Sequence, residues 1–366
     1  MLPLFEKYPL LGEKIPHVEL GQFPTPVHKL DQFGEDVGVG RLYIKRDDLS
    51  GRVYGGNKIR KLEFLLGDAL QNGAKEVVTF GCAGSNHALA TSIYARQLGL
   101  RSISILRPQP NAGYVGRNLL MSHYSDAELH HVRNIPLAYV ATFYQRVRHR
   151  LRTGHSPRVV PLGGSSPLGT VGYVNAAFEL KDQVTKGEVP EPDRIYVALG
   201  TMGTAVGLML GLKAAHLKSE VVPIRVVSEQ LASVRRLTDL FQKTNSFLCS
   251  LDSSFPRFEL SESDVDIRGG FLGQGYAYFT KEGTDAVSRM KTAEGIKLEG
   301  TYTGKTLAAL IDDAQRRDLR DKVLLFWNTY NSRDFSDAIA GLDHQQLPRS
   351  FHRYFEEGVQ PLDTDA

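Results

Sequence analysis

Residues 53–66, VYGGNKIRKLEFLL, place a lysine where its charge is disfavoured. A Gly-Gly pair leads into Asn57 and Lys58, and an amphipathic helix begins there, with Leu62, Leu65 and Leu66 on its apolar side and Phe64 near the edge. The dipole and unpaired N–H groups of a helix N-terminus are already positive, so a second positive charge is unwelcome. A lysine held neutral is a nucleophile able to form a Schiff base with an aldehyde cofactor. The plainer alternative is a solvated lysine at a helix start beside Arg60 and Lys61. For one lysine alone that alternative is the better reading; the segments around it change the balance.

The stretch GCAGSNH, residues 81–87, follows the strand-like VVTF and precedes a helix. It sets Ser85, Asn86 and His87 at a helix N-terminus, where backbone amides can hold a carboxylate or phosphate. Ser85 is a candidate proton carrier; simple capping explains Ser and Asn equally well. LGTMGT, residues 199–204, follows RIYVA and opens the glycine-rich helix AVGLMLGLKAA. Strand, glycine turn, hydroxyl residue and helix N-terminus together make a phosphate cradle, with hydroxyls from Thr201 and Thr204. The lysine of a nucleotide P-loop and the GxGxxG spacing are both missing. Tight helix–strand packing would also use those glycines. A third strand-end loop, GGSS at 163–166, carries a weaker signal. Tyr276 in GQGYAYF and Tyr302 in EGTYTGK are phenols beside glycine-rich loops, suited to proton transfer or substrate contact, although aromatics most often serve the core.

These loops need a frame. Strand-like runs at 77–80, 102–107, 158–162, 194–199, 222–228 and 322–327 alternate with helix-like stretches at 58–72, 86–98, 136–152, 169–185, 204–217, 231–244, 282–293 and 304–317. The alternation predicts parallel sheets covered by helices, with ligand loops at the carboxyl edge of the strands. Residues 1–50, with a short strand at 41–45, read as a wrapping segment. Residues 246–275 read as irregular, and the tail after about 338 as a surface cap.

The chain has 366 residues, enough for two domains, and a formal net charge of +3. No basic block is long enough for a nucleic-acid surface, and RVRHRLR at 146–152 reads as a solvated helix face. No run reaches about 18 uncharged apolar residues, so no membrane span is expected. Two cysteines, Cys82 and Cys249, make no disulfide framework, and with no signal-peptide pattern a cytoplasmic protein is expected. HExxH, CxxC and carboxylate clusters of metal spacing are missing, so no catalytic metal is expected; the lack of GxSxG argues against a serine hydrolase.

GGNKIRKLEFLL, GCAGSNH, LGTMGT and YTGKT, in that order and spacing, resemble the pyridoxal-phosphate enzymes of tryptophan-synthase-β-like fold. FEKYPL, PTPVHKLDQFG and LYIKRDDLSG narrow the resemblance to the branch of 1-aminocyclopropane-1-carboxylate deaminase and D-cysteine desulfhydrase. It spans residues 5 to 335, and GGNKxRKLE is its most specific part. The fold it implies is two open parallel-sheet α/β domains with pyridoxal 5'-phosphate in the cleft between them. Residues 1–69 and 176–366 would form the large cofactor-binding domain and 70–175 a small mobile one. A homodimer is implied as well.

By this resemblance Lys58 carries the cofactor and moves the substrate's α-proton. Asn86 bonds the ring hydroxyl; Ser85 and His87 hold the substrate carboxylate, with Ser85 assisting proton transfer. Gly200, Thr201, Met202, Gly203 and Thr204 bind the phosphate. Tyr276 and Tyr302 match the branch's two active-site tyrosines. Thr303 stands where the deaminase pattern has a carboxylate and the desulfhydrase pattern a threonine. A carboxylate at the ring nitrogen strengthens the electron sink for cyclopropane opening, whereas a threonine suffices for β-elimination, where a good leaving group departs. The expectation is α,β-elimination from a small β-substituted amino acid, D-cysteine first. Deamination of the cyclopropane amino acid is one alternative, and a non-catalytic small-ligand-binding protein is another. Two departures bear on the pocket. Leu89 replaces an arginine after SNH, and WNTYNS replaces a His-Thr-Gly-Gly loop, leaving Thr329 to reach the ring nitrogen.

Overall fold

The computed structural model describes residues 1–316 and 318–363. Its strands are β1 (Val27–Lys29), β2 (Leu42–Lys45), β3 (Glu76–Cys82), β4 (Arg101–Arg107), β5 (Glu128–His131), β6 (Arg158–Val159), β7 (Arg194–Leu199), β8 (Glu220–Arg225) and β9 (Leu324–Trp327). The chain divides into two compact α/β units, each with its own sheet. One comprises Met1–Ile15, Gly21–Lys61 and Ser165–Arg333; the other comprises Pro16–Leu20, Leu62–Gly164 and residues 334–363. Residues 334–363, grouped with the large domain in the sequence reading, fall in the second unit.

The first unit holds the sheet β1-β2-β9-β7-β8, in which only β1 runs antiparallel. Arg194 of β7 pairs with Leu324 of β9, so these parallel neighbours start level. Their following loops, residues 200–204 and 328–331, leave from the same carboxyl edge, the edge that serves ligands in open α/β sheets. Leu42, Ile44, Tyr196, Ile224, Leu324 and Phe326 join Leu307 and Leu310 of the helix Thr303–Arg316 in one core. Full burial of each such side chain contributes about 1.5–3 kcal/mol. The helices Pro167–Thr185 and Gly203–Ala214 pack closely because Gly207 and Gly211 lack side chains. A methyl on Gly211 would stand 2.6 Å from Ala177 Cβ. Gly207 and Gly211 thus serve packing of helix on helix, where the sequence suggested helix on strand.

The second unit holds the all-parallel sheet β5-β4-β3-β6. Val78, Ile103 and Ile105 form its core cluster, and the helix Asn86–Gln97 follows β3 directly.

Several elements differ from the sequence reading. The helix Gly113–Tyr124 was not foreseen, because Gly113, Gly116 and Asn118 blur its period. β5, ELHH, has a single strong apolar residue. Short helices occur at Pro3–Lys7, Pro9–Lys14 and Asp31–Val37 in the segment read as wrapping. The helix expected at 231–244 runs from Val234 to Leu251, and the strand expected at 158–162 shrinks to two residues. The last residue of the helix expected at 304–317 lies outside the described residues. Among the described residues no helix is long and apolar enough to cross a membrane.

Candidate active site

Lys58 is the first residue of the helix Lys58–Gln71. Gly56 (φ +92°) passes against the β9 loop so closely that a Cβ there would lie 2.8 Å from the Thr329 carbonyl oxygen. The Asn57 N–H donates to that same oxygen at 3.2 Å, and the Asn57 side chain donates to Thr204 Oγ1 at 3.0 Å. The lysine is thereby pinned beside both strand-end loops. Part of its surface remains accessible, yet protein crowds the ammonium. Desolvation lowers its pKa to about 8, opposed by the Glu299 carboxylate.

The solvated reading of this helix start fails for its neighbours. Arg60 and Lys61 are each 1% exposed. Arg60 donates to Asp47 and Glu179 in a buried cluster that also takes in Lys45, Tyr173 and Trp327. Lys61 reaches the 200–204 loop instead. Its Nζ lies 3.3 Å from Ser165 Oγ, and burial, reinforced by the Lys58 charge, pushes its pKa well down.

The 200–204 loop gathers hydroxyl, amine and backbone N–H groups at one helix start. Met202 adopts a left-handed conformation (φ +69°) and the helix from Gly203 begins without a side-chain cap. Ser165 Oγ accepts from the Gly203 N–H at 3.1 Å and lies 2.7 Å from Thr201 Oγ1. A Cβ on Gly203 would meet Ser165 Oγ at 2.7 Å and both Lys61 Nζ and Thr170 Oγ1 at 3.1 Å. Thr170 Oγ1 is buried without a hydrogen-bond partner. An uncapped helix N-terminus, a desolvated lysine and an orphaned hydroxyl are complementary to a phosphate. These residues fit the phosphate of pyridoxal phosphate.

Tyr302 closes the other side of this loop: its ring would be 3.6 Å from a Cβ on Gly200. Its hydroxyl lies 2.7 Å from that of Tyr276. Tyr302 opens the turn before the helix Thr303–Arg316, and Glu299 holds that turn. The buried Glu299 carboxylate accepts N–H bonds from Thr301, Tyr302 and Thr303 at 2.7–2.8 Å. Burial raises its pKa, against those three bonds. The Thr303 hydroxyl is bound within this cap, to the Glu299 N–H and carboxylate. Lys305, fully buried, donates to the Leu272 carbonyl, and burial lowers its pKa to about 8. Thr329 is buried beside Asn57, as its hydrogen bond requires.

Ser85, Asn86 and His87 belong to the second unit, at the start of the helix after β3. Ser85 is the N-cap, its hydroxyl accepting from the Ala88 N–H at 3.2 Å, so the capping alternative is realised. Asn86 Oδ1 accepts from Asn118 at 3.1 Å, and Asn118 also donates to the Gly84 carbonyl. His87 is 3% exposed. Leu89, the departure in this motif, is fully buried. In the other departure, Asn331 accepts from the Gly55 N–H at 2.6 Å, so the bulkier loop is tied to the glycine pair.

Ser165 lies in the GGSS loop that the sequence ranked below the other two, whereas Lys61, Thr170, Asn118, Glu299 and Lys305, which line or brace these loops, were not singled out as candidates. Lys61 lies three residues after Lys58, one helical turn on, a spacing that could have drawn attention to it. Ser165 and Thr170 needed the tertiary structure.

Residues 18–329 match the model of a family described as pyridoxal-phosphate dependent enzyme. A D-cysteine desulfhydrase of Salmonella paratyphi A is 34% identical over 324 residues, 86% of this chain and 94% of its own length. A Pyrococcus horikoshii protein provisionally named 1-aminocyclopropane-1-carboxylate deaminase is 35% identical over 314 residues, 85% and 90% of the two chains. The crystal structure of a homologue of that deaminase superposes with a TM-score of 0.75 at 33% identity, covering 93% of this chain and 99% of the other. Threonine deaminase isoform 2 of Solanum lycopersicum, at 15% identity and a TM-score of 0.57 over 92% of each chain, shares the fold alone. With its two α/β domains of tryptophan-synthase-β-like fold, this chain belongs to the pyridoxal-phosphate dependent enzyme family.

Proposed function

We propose that the protein is a lyase that eliminates a β-substituent from a small amino acid and releases a 2-oxo acid and ammonia, with D-cysteine the first candidate. For cysteine, one water enters and pyruvate, sulfide and ammonium leave. The observation that carries the proposal is Lys58, with a pKa of about 8, fixed by Asn57 to the phosphate-fitting 200–204 loop. Near physiological pH such a lysine is a free amine far more often than an ordinary one, and it can serve as nucleophile and proton carrier.

In this reading Gly200, Thr201, Met202, Gly203 and Thr204, with Lys61, Ser165 and Thr170, hold the phosphate of pyridoxal phosphate. Asn86 bonds the ring hydroxyl, and Ser85 and His87 hold the substrate carboxylate. When bound, the cofactor supplies electron withdrawal that stabilises negative charge at the substrate Cα. Lys58 Nζ removes the Cα proton. The bonded hydroxyls of Tyr276 and Tyr302 orient the β-substituent and deliver a proton to it as it leaves. Thr303 stands where the deaminase pattern has a carboxylate, and the loss of that carboxylate favours elimination over ring opening; its own hydroxyl is held by Glu299.

The test is 2-oxo acid release by the cofactor-loaded protein. It is offered D- and L-cysteine, serine, cysteate and 1-aminocyclopropane-1-carboxylate, with Lys58→Ala as control. Turnover of a β-substituted amino acid that vanishes in Lys58→Ala supports the reading. Turnover of the cyclopropane substrate alone overturns the choice of reaction, and a protein that takes up no cofactor overturns the enzyme reading.

A further inference from the structure

The C-terminal segment, beyond the residues matched by the family, builds a second constellation of ligand groups. His344, His352 and Glu356 each offer one ligand atom, and all three atoms lie within 4.8 Å of one another. His344 Nε2 is 3.4 Å from Glu356 Oε1, and His352 Nδ1 is 3.9 Å from the same oxygen. A tetrahedral ion with bonds of about 2.0–2.1 Å separates its ligands by roughly 3.3–3.4 Å. One separation already has that value, and the others lie within 4.8 Å.

The His352 nitrogen facing away from this point is engaged as the outer partner of a metal-bound imidazole usually is. His352 Nε2 lies 2.9 Å from the Leu347 carbonyl oxygen. A carbonyl only accepts, so Nε2 carries the hydrogen, and in the neutral ring Nδ1 keeps its lone pair toward Glu356. His344 Nδ1 lies 3.5 Å from Asp343 Oδ1, and that carboxylate is itself fixed by the Gln345 N–H. The carbonyl orients the His352 ring, and the Asp343 carboxylate lies beside the His344 ring. The rings are further held by packing: His344 stacks on Phe355 at 4.9 Å and meets His352 edge-on at 5.4 Å.

We propose that His344 Nε2, His352 Nδ1 and Glu356 Oε1 form a binding site for a divalent transition-metal ion of the zinc type, with its fourth position open to water. Two imidazoles and one carboxylate suit zinc and exclude calcium or magnesium, which take oxygen ligands. An imidazole binds a metal only through an unprotonated nitrogen, so metal binding weakens as pH falls. The site acts as a staple for the C-terminal segment. Between and beside the ligands, Phe351 packs on His131 at 4.9 Å and the Tyr354 hydroxyl accepts from the Gln109 N–H at 3.2 Å. An ion joining His344 to Glu356 locks that turn in place.

The experiment titrates the tag-free, cofactor-loaded full chain with Co²⁺, read by its visible ligand-field bands, and then displaces it with Zn²⁺. Wild type is expected to bind one equivalent, with Zn²⁺ raising the unfolding temperature. His344→Gln, His352→Gln and Glu356→Gln should each weaken binding at least tenfold while keeping the metal-free unfolding temperature. The exposed Glu356 makes Glu356→Gln the variant least able to disturb folding. Absence of stoichiometric binding, or equal affinity in wild type and variants, overturns the proposal.

Discussion

The hydroxyls of Tyr276 and Tyr302 lie 2.7 Å apart, joining an irregular loop to the first turn of a helix 26 residues later. One hydroxyl donates and the other accepts, so a proton can pass along the pair. Tyr302 is held by Glu299 through its N–H, and Tyr276 is positioned through Tyr302. Replacing either tyrosine by phenylalanine should lower kcat by about 10²–10⁴-fold, the span of a lost general acid or base. Steady-state kinetics with a turned-over β-substituted amino acid, together with thermal unfolding, measure this. A loss confined to the unfolding temperature would assign the pair a structural role.

Lys58 should take up pyridoxal phosphate only as the free amine. With its pKa lowered to about 8, the uptake rate should rise with pH and level off above a midpoint near 8, well below that of an ordinary lysine. Visible absorbance of the reconstituted protein follows this, and Lys58→Ala should show no such band. A midpoint above 10 would mean that the amine is solvated.

Thr170→Val separates the phosphate cradle from the fold. The valine removes a buried hydroxyl that has no partner, so unfolding without cofactor should be unchanged or slightly harder. Cofactor affinity should fall about tenfold, roughly 1.4 kcal/mol. Lys61→Met should weaken the cofactor further, since it removes the buried amine that faces the phosphate cradle. Equilibrium titration with pyridoxal phosphate reads both.

The buried cluster under the helix start predicts an acid limit. Burial alone would raise the Glu179 pKa, but Arg60 and Lys45 outweigh it and lower it to about 2. A depressed carboxylate contributes stability above its unfolded pKa, about 4.3, and loses it as pH falls toward the folded value. Stability should therefore decline between about pH 4.5 and 2. Asp47→Ala, which leaves Arg60 without one of its two buried carboxylates, should cost about 3–5 kcal/mol. Denaturant unfolding at pH 7 and across the acid range checks both statements.

Much of the frame was legible in the chain. β7 coincides with its expected span, and the helices from Lys58 and Asn86 start where their motifs placed them, because strand and helix periods and the glycine turns are local signals. The helix Gly113–Tyr124 and β5 escaped because glycines and histidines interrupt the period. The glycine-rich loop after β7 was readable as a phosphate cradle for the same local reason. The rest of that cradle was not, since Ser165 and Thr170 reach Gly203 from another helix start. Nothing in the order of residues marked Lys61 as buried rather than solvated, or tied the Thr303 hydroxyl to Glu299. Covalent order alone determined which residues open the strand-end loops. Only the packed fold decided which of them lose water and what they face, because desolvation and hydrogen-bond pairing depend on neighbours distant in the chain.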